Sequence, residues 1–336
     1  MSHQTPQAPV TSARRRALAL LAAGAALALC MPGAASAESA PVPRLIKLVV
    51  GYSAGGPVDV AARLLAPALA QELGTKVIVD NRPGASGSLG GDAVVKAAPD
   101  GATLFFGASP TITINPNIYR KMPFDPMKDL APIAPLLSYT NVLVVNKDLP
   151  IRSVAELLAY AKANPTKVFY GSAGVGSSNH LSGALLEKMT GAPLSHAPYK
   201  GNAPAMVDVM AGTLTMMFDI ISTARPHIEG GKVRALAVTS RQRNRMLPDV
   251  PTMIEAGVPD YEVVGWFGLY GPARINPELV ERINAAARKA LARADVSARM
   301  LDAGYDIWSG TPDTLAVKGE ADRKMWATVS KGIVVD

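Results

Sequence analysis

Short apolar runs rich in β-branched residues alternate with helix-spaced apolar patterns along most of this 336-residue chain, and that alternation restricts the fold more than any other feature. LIKLVVG (45–51), KVIVD (76–80), TLFFG (103–107), NVLVVN (141–146), KVFYG (167–171) and VRALAVT (233–239) read as buried strands. Between them, 58–72, 154–163, 178–190 and 203–211 carry apolar residues at helical spacing. Strands that take turns with helices predict an α/β fold with largely parallel sheets. Pro67 predicts a kink or an early stop in the first helix. The stretch 109–135, rich in proline and asparagine, reads as irregular, and from 277 to the end two amphipathic helices follow with no strand between them.

Two of the strand-to-helix turns are alike. VVGYSAGGPVD (49–59) and YGSAGVGSSNHL (170–181) each run from a strand through a Gly/Ser-rich turn into a helix start. Gly55 and Gly56 bend the first and Pro57 suits the first helical position; Gly174 and Gly176 bend the second, where Ser177 or Ser178 can cap the helix. A helix start leaves several N–H groups without partners and carries partial positive charge, so each turn favours an anion. In open α/β sheets such turns lie at the carboxyl ends of strands, where ligands bind. If the turns belong to different lobes, they face each other across a cleft and can hold a carboxylate without an arginine. Ser53, Ser177 and Asp59 also fit a purely local role, closing turns and capping their own helices.

The first segment stands apart from the fold. Arg14, Arg15 and Arg16 precede the apolar stretch ALALLAAGAALAL, and Ala35-Ser36-Ala37 forms an A-x-A cleavage site, the layout of a secretory signal peptide over 1–37. The apolar run is shorter than the ~18 residues of a membrane span. Cleavage removes Cys30, the chain's single cysteine, and with it any disulfide or thiolate site. It also takes the 34 basic residues to 31 against 27 acidic ones, a mild +4. The densest basic run, RQRNR (241–245), has no interleaved aromatics and reads as a solvated loop, so no nucleic-acid partner is expected.

GYSAG matches the G-x-S-x-G pattern of serine hydrolases, and an order Ser53–Asp219–His227 is formally available for a triad. Yet Ser53 follows the first strand after the leader, which leaves no earlier strand and loop to supply the second oxyanion donor of that fold. The three histidines beyond the leader, His180, His196 and His227, are not at i, i+4 spacing and have no carboxylate cluster, so a metal site lacks ligands. NRPGASGSLGG (81–91) lacks the lysine of a P-loop and reads as a flexible turn lining a lobe edge. No cofactor is expected.

The ordered motifs IKLVVGYSAGGPVDVAARLLA, VIVDNRPGASGSLGGDAVVKAAPDGATLFFG, INPNIYRKMPFDPMKDLAPIA, GSAGVGSSNHLSGALL, YKGNAPAMVDVMAGTLTMMFD and GWFGLYGPA give the chain a resemblance to a known family. It resembles the tripartite tricarboxylate transporter receptors, also called Bug-type receptors, along nearly its whole length after the leader. The resemblance implies a two-lobed periplasmic binding protein of the Venus flytrap type, each lobe a mixed, mostly parallel sheet flanked by helices. It implies lobes at 38–140 plus 261–336 and at 141–260. The ligand is then a small organic carboxylate gripped by both turns, with Tyr52, Ser53, Ala54 and Asp59 from the first and Ala173, Gly174, Ser177 and His180 from the second. Asp219 is the family's acidic position at the cleft. Tyr52 stands where the family usually has phenylalanine, and Val58 where it often has a hydroxyl residue. Phe106 to Thr111 also lacks the frequent histidine, and Tyr52, Val58 and Phe106 together favour a ligand with an apolar or aromatic body. The implied protein is monomeric, periplasmic and not an enzyme, and delivers its ligand to the membrane subunits of a transporter or to a sensor.

Overall fold

The computed structural model describes residues 1–5 and 41–334, and Val42 onward forms one compact unit. The arginine run, the apolar stretch, Cys30 and the expected cleavage site lie outside the described residues. Among the described residues there are ten strands: β1 (Leu45–Val50), β2 (Lys76–Asn81), β3 (Thr103–Ala108), β4 (Leu130–Asn146), β5 (Phe169–Ser172), β6 (Ser195–Pro198), β7 (Met216–Ile220), β8 (Val233–Val238), β9 (Val264–Pro272) and β10 (Tyr305–Ile307). The α-helices among the described residues are α1 (Pro57–Leu73), α2 (Ser88–Val95), α3 (Asn115–Ile118), α4 (Pro126–Asp129), α5 (Val154–Ala163), α6 (Ser178–Thr190), α7 (Asn202–Ala211), α8 (Ile221–Glu229), α9 (Pro277–Ala292), α10 (Ala294–Asp302) and α11 (Pro312–Val329).

The strands join in the order β2-β1-β3-β9-β4-β7-β5-β6, with β8 and β10 also paired to β4. β4 holds the two ends together. Up to Thr140 it pairs with β9 and β10, and from Asn141 it pairs with β7 and β8. The return crossing lies beside the outward one, since Val264 pairs with Thr140 while the Val263 N–H bonds the Thr239 carbonyl at 2.9 Å. The fold is the two-lobed mixed α/β architecture expected, but its balance is not largely parallel. Four pairings among the described strands are parallel, all made by β1 or β5, and five are antiparallel, all made by β4 or β9. βαβ units build the parallel ends; the strands through which the chain leaves one half and returns must run in opposite directions.

Several local expectations change. β4 starts at Leu130, inside the stretch read as irregular, because its prolines fall where the pairing with β9 shifts register, between Pro132 and Ala134 and between Pro135 and Leu137. A bulge removes the need for the N–H that proline lacks. α1 runs through Pro67 without stopping, since that residue lies on the exposed face where water can take up the unpaired carbonyl one turn earlier. β10 lies between the last two helices, where no strand was expected. α11 ties the two ends together. The Trp266 indole N–H donates to Asp322 at 2.7 Å, while Trp326 joins an apolar cluster with Leu143, Leu181 and Tyr261.

Candidate functional site

The first turn is held from behind. Gly51 passes so close to the 81–91 loop that a Cβ there would lie 2.5 Å from the Gly87 Cα, which only glycine avoids. Gly55 bends with φ +77°, and its N–H donates to Asp59 at 2.9 Å. Asp59 also accepts from the Arg63 guanidinium and from the Asn81 amide, each at 2.9 Å. Burial alone would raise the Asp59 carboxyl, but these donors bring it below the ordinary carboxylate range. Asp59 therefore closes its own turn, as an acidic residue in a first helical turn commonly does. Ser53 donates to the Lys200 carbonyl at 2.7 Å, and Tyr52 donates to the Ser86 carbonyl at 3.0 Å.

The second turn uses its own side chains as braces. Gly174 and Gly176 take φ of +124° and +84°, and the Ser177 hydroxyl caps α6 by accepting the His180 N–H at 3.3 Å. The His180 ring turns back, its Nδ1 accepting the Gly176 N–H at 3.1 Å. It stacks on His196 with ring centroids 4.0 Å apart, and His196 Nε2 meets the Ser172 hydroxyl at 2.6 Å. Burial pushes His180 down to about 4 and His196 to about 3, the second also because a charged His180 would face it.

Both rings are neutral in the folded protein, whereas the unfolded chain takes up their protons below pH ~6.5. Stability from this pair is complete above that pH and is lost as pH falls towards 4 and 3. His180 alone contributes about 3 kcal/mol over that window by the usual conversion. Asp219, raised by burial to about 6, opposes the trend by gaining its proton in the folded state first. Urea midpoints measured from pH 7 to 4 are expected to fall for the parent and to fall much less for a His180→Gln, His196→Gln double variant; equal slopes would contradict the assignment.

The two helix starts meet. Pro57 and Val58 from the first, and Ser177, Ser178 and Asn179 from the second, border one small hollow of about 10 Å³. Tyr52 and Ala173 border it too, and both also border a neighbouring cavity of about 170 Å³. No charged side chain borders the hollow, and Lys200 is the one charged residue around the cavity. First-turn N–H groups that no residue of the helix accepts, and the partial positive charge of two helix ends, are what the hollow offers. Further hydroxyls bridge the halves around the cavity: the Ser86 hydroxyl donates to the Val175 carbonyl, and the Tyr119 hydroxyl reaches the same oxygen at 3.2 Å.

Of the residues named from the sequence, Tyr52, Ala173, Gly174 and Ser177 border these spaces. Ser53 spans the halves beside them, Ala54 is exposed, and Asp59 and His180 brace their turns from behind. Asp219 is fully buried one layer back, accepting from the Asn202 amide, the Ile220 N–H at 2.8 Å and the Thr223 hydroxyl at 2.9 Å. Its partner Asn202 is the residue that borders the hollow. Phe106 packs on Phe267 inside the sheet and borders neither space. The sequence reading missed Asn179, Asn202, Tyr119 and Tyr199. It treated the 81–91 loop as a flexible edge, although Ala85 and Ser86 are held at φ of +45° and +48° against the cavity. Two adjacent non-glycine residues in that region signal a strained, tightly held loop.

The model of the tripartite tricarboxylate transporter family receptor matches residues 61–327. BugT of Bordetella pertussis is 34% identical over 279 residues, covering 83% of this chain and 85% of BugT. An R. palustris protein solved with adipate is similar in structure with a TM-score of 0.84 and 35% identity, covering 86% of this chain and 96% of that one. MatC from Rhodopseudomonas palustris, solved with bound malate, has a TM-score of 0.82 and 32% identity, covering 85% and 98%. With its fold, its paired turns and its sequence all in agreement, the chain belongs to the tripartite tricarboxylate transporter receptor family, the Bug-type binding proteins.

Proposed function

We propose that this protein is an extracytoplasmic receptor that captures a small organic carboxylate between its two lobes and hands it, chemically unchanged, to the membrane subunits of a tripartite tricarboxylate transporter. The observation that carries this reading is the hollow shared by the two helix starts, which offers N–H groups from both halves and shares Tyr52 and Ala173 with a larger cavity. The lobes divide at 140 and 261, next to the two crossings on β4 and β9. Closure follows when the ligand is bound better by the closed arrangement, in which both sets of N–H groups converge. Adipate and malate in two relatives support a carboxylate as the guest. Among the described residues no helix is long and apolar enough to cross a membrane, which accords with delivery to separate membrane subunits.

A thermal-shift screen of organic acids tests the reading, because a ligand that binds only the folded state raises its melting temperature by mass action. At a hundredfold excess over Kd the added stability is about 2.7 kcal/mol, a shift of several degrees. No response to any acid of the panel would count against it. Ser53 gives no support to a hydrolase, since its hydroxyl is bonded to the Lys200 carbonyl rather than to an imidazole. A fluorophosphonate probe is therefore expected to leave Ser53 unlabelled; stoichiometric labelling lost in Ser53→Ala would overturn the receptor reading.

A further inference from the structure

The cavity beyond the hollow carries information about the body of the ligand. Four hydroxyl side chains border it, and each is already committed. Tyr52 donates to the Ser86 carbonyl at 3.0 Å, and Ser86 and Tyr119 both donate to the Val175 carbonyl. Tyr199 donates to Asp208. A hydroxyl has one proton to give, so none of the four donates to a ligand oxygen. What remains is the faces of three tyrosine rings, the side chains of Ala85, Ala173 and Val175, and a glycine-rich backbone. Lys200 is exposed and supplies the one charge at the rim.

Size points the same way. The cavity holds about 170 Å³, and an apolar cavity of about 150 Å³ is enough to take up benzene. The inner hollow, at about 10 Å³, is near the minimum for one water-sized group, here a carboxylate oxygen. We infer that this receptor selects a monocarboxylate bearing one six-membered ring, with the carboxylate at the helix starts and the ring among Tyr52, Tyr119 and Tyr199. The inference rests on the receptor reading above and narrows its ligand. A second carboxylate would enter a space whose hydroxyl protons are spent and whose one cation, Lys200, stands exposed at the rim, so it would give up its water for few donors. Tyr52 is central to this choice: it borders both spaces, and its hydroxyl is held by the carbonyl of Ser86, in a segment at positive φ.

Isothermal titration of the leaderless chain with benzoate, cyclohexanecarboxylate, adipate and malate tests the inference. Benzoate and cyclohexanecarboxylate are expected to bind one per chain, at least ~10-fold more tightly than either linear diacid, the ratio expected where donors are lacking. Adipate or malate binding more tightly than both ring acids would overturn the inference and leave the receptor reading intact. No binding by any of the four, together with no hit in the wider acid screen, would remove both. Ala173 borders both spaces, so Ala173→Leu puts bulk where the ligand would pass from one to the other and is expected to weaken benzoate at least ~10-fold with its circular dichroism spectrum unchanged. Unchanged benzoate affinity in that variant would place the ring elsewhere and overturn the inference even if benzoate binds the parent.

Discussion

Gly174→Pro is expected to weaken carboxylate binding by about 100-fold or more, the usual scale of loss when a binding geometry shifts by an ångström. Gly174 sits at φ +124°, whereas proline is fixed near −65°. The substitution also removes an N–H that donates to the Ser172 hydroxyl at 3.1 Å. A side chain here would begin 3.1 Å from the Ser86 hydroxyl and 3.3 Å from the Tyr199 carbonyl, both belonging to the cavity wall. The turn must take another path, and Ala173 and Ser177 leave the hollow with it. The cost in stability is about 3 kcal/mol, a fall of roughly 5 °C in melting temperature for a protein of this size. Titration calorimetry together with a melting curve separates the two effects. Parental affinity in the variant would mean that the second turn does not touch the ligand.

Asp219→Ala is expected to destabilise the protein by about 3–5 kcal/mol, because it leaves buried donors facing nothing. Two groups lose this acceptor with no other at hand, the Asn202 amide and the Ile220 N–H at the start of α8, while the Thr223 hydroxyl keeps the Ile220 carbonyl at 3.1 Å. Asn202 is the link to function. It borders the hollow, and without Asp219 nothing fixes its rotamer. Affinity should therefore drop even well below the melting temperature, although Asp219 itself borders neither space. Asp219→Asn keeps one accepting oxygen and should fall between the two in stability. A melting temperature within about 2 °C of the parent for Asp219→Ala would contradict this role, given the expected scale of several degrees.

The parts of the molecule that the sequence discloses are those decided locally. β1, β3 and β8 are runs of apolar residues between turn signals, and α5 and α6 follow their spacing, so both types were legible. The two Gly/Ser turns were legible for the same reason, since proline at a first helical position and glycine at positive φ leave a mark in the chain. β7, MMFDI, was not, because methionine and an aspartate carry no strand signal; its aspartate is tolerated through the Ile220 N–H and Thr223 just after it and through Asn202 from the start of α7. The first half of β4 hid behind prolines whose bulges need β9 as a partner to be seen. At the site, residue positions were legible but side-chain directions were not. The phenol of Tyr52 serves a carbonyl 34 residues away, which nothing in its own stretch announces; for Asp59 the sequence left both a contact and a local role open, and its carboxylate closes its own turn. Such choices are made by whichever buried partner lies nearest once the fold has formed.

The central claim is that first-turn backbone N–H groups of both α1 and α6 hold one carboxylate. A crystal structure of the protein with the tightest acid of the ring panel tests it most directly. The account predicts carboxylate oxygens bonded, directly or through one water, to N–H groups of Val58 on one side and of Ser178 or Asn179 on the other. A carboxylate bound to one turn alone, or a ligand outside the space bordered by Tyr52 and Ala173, would contradict it.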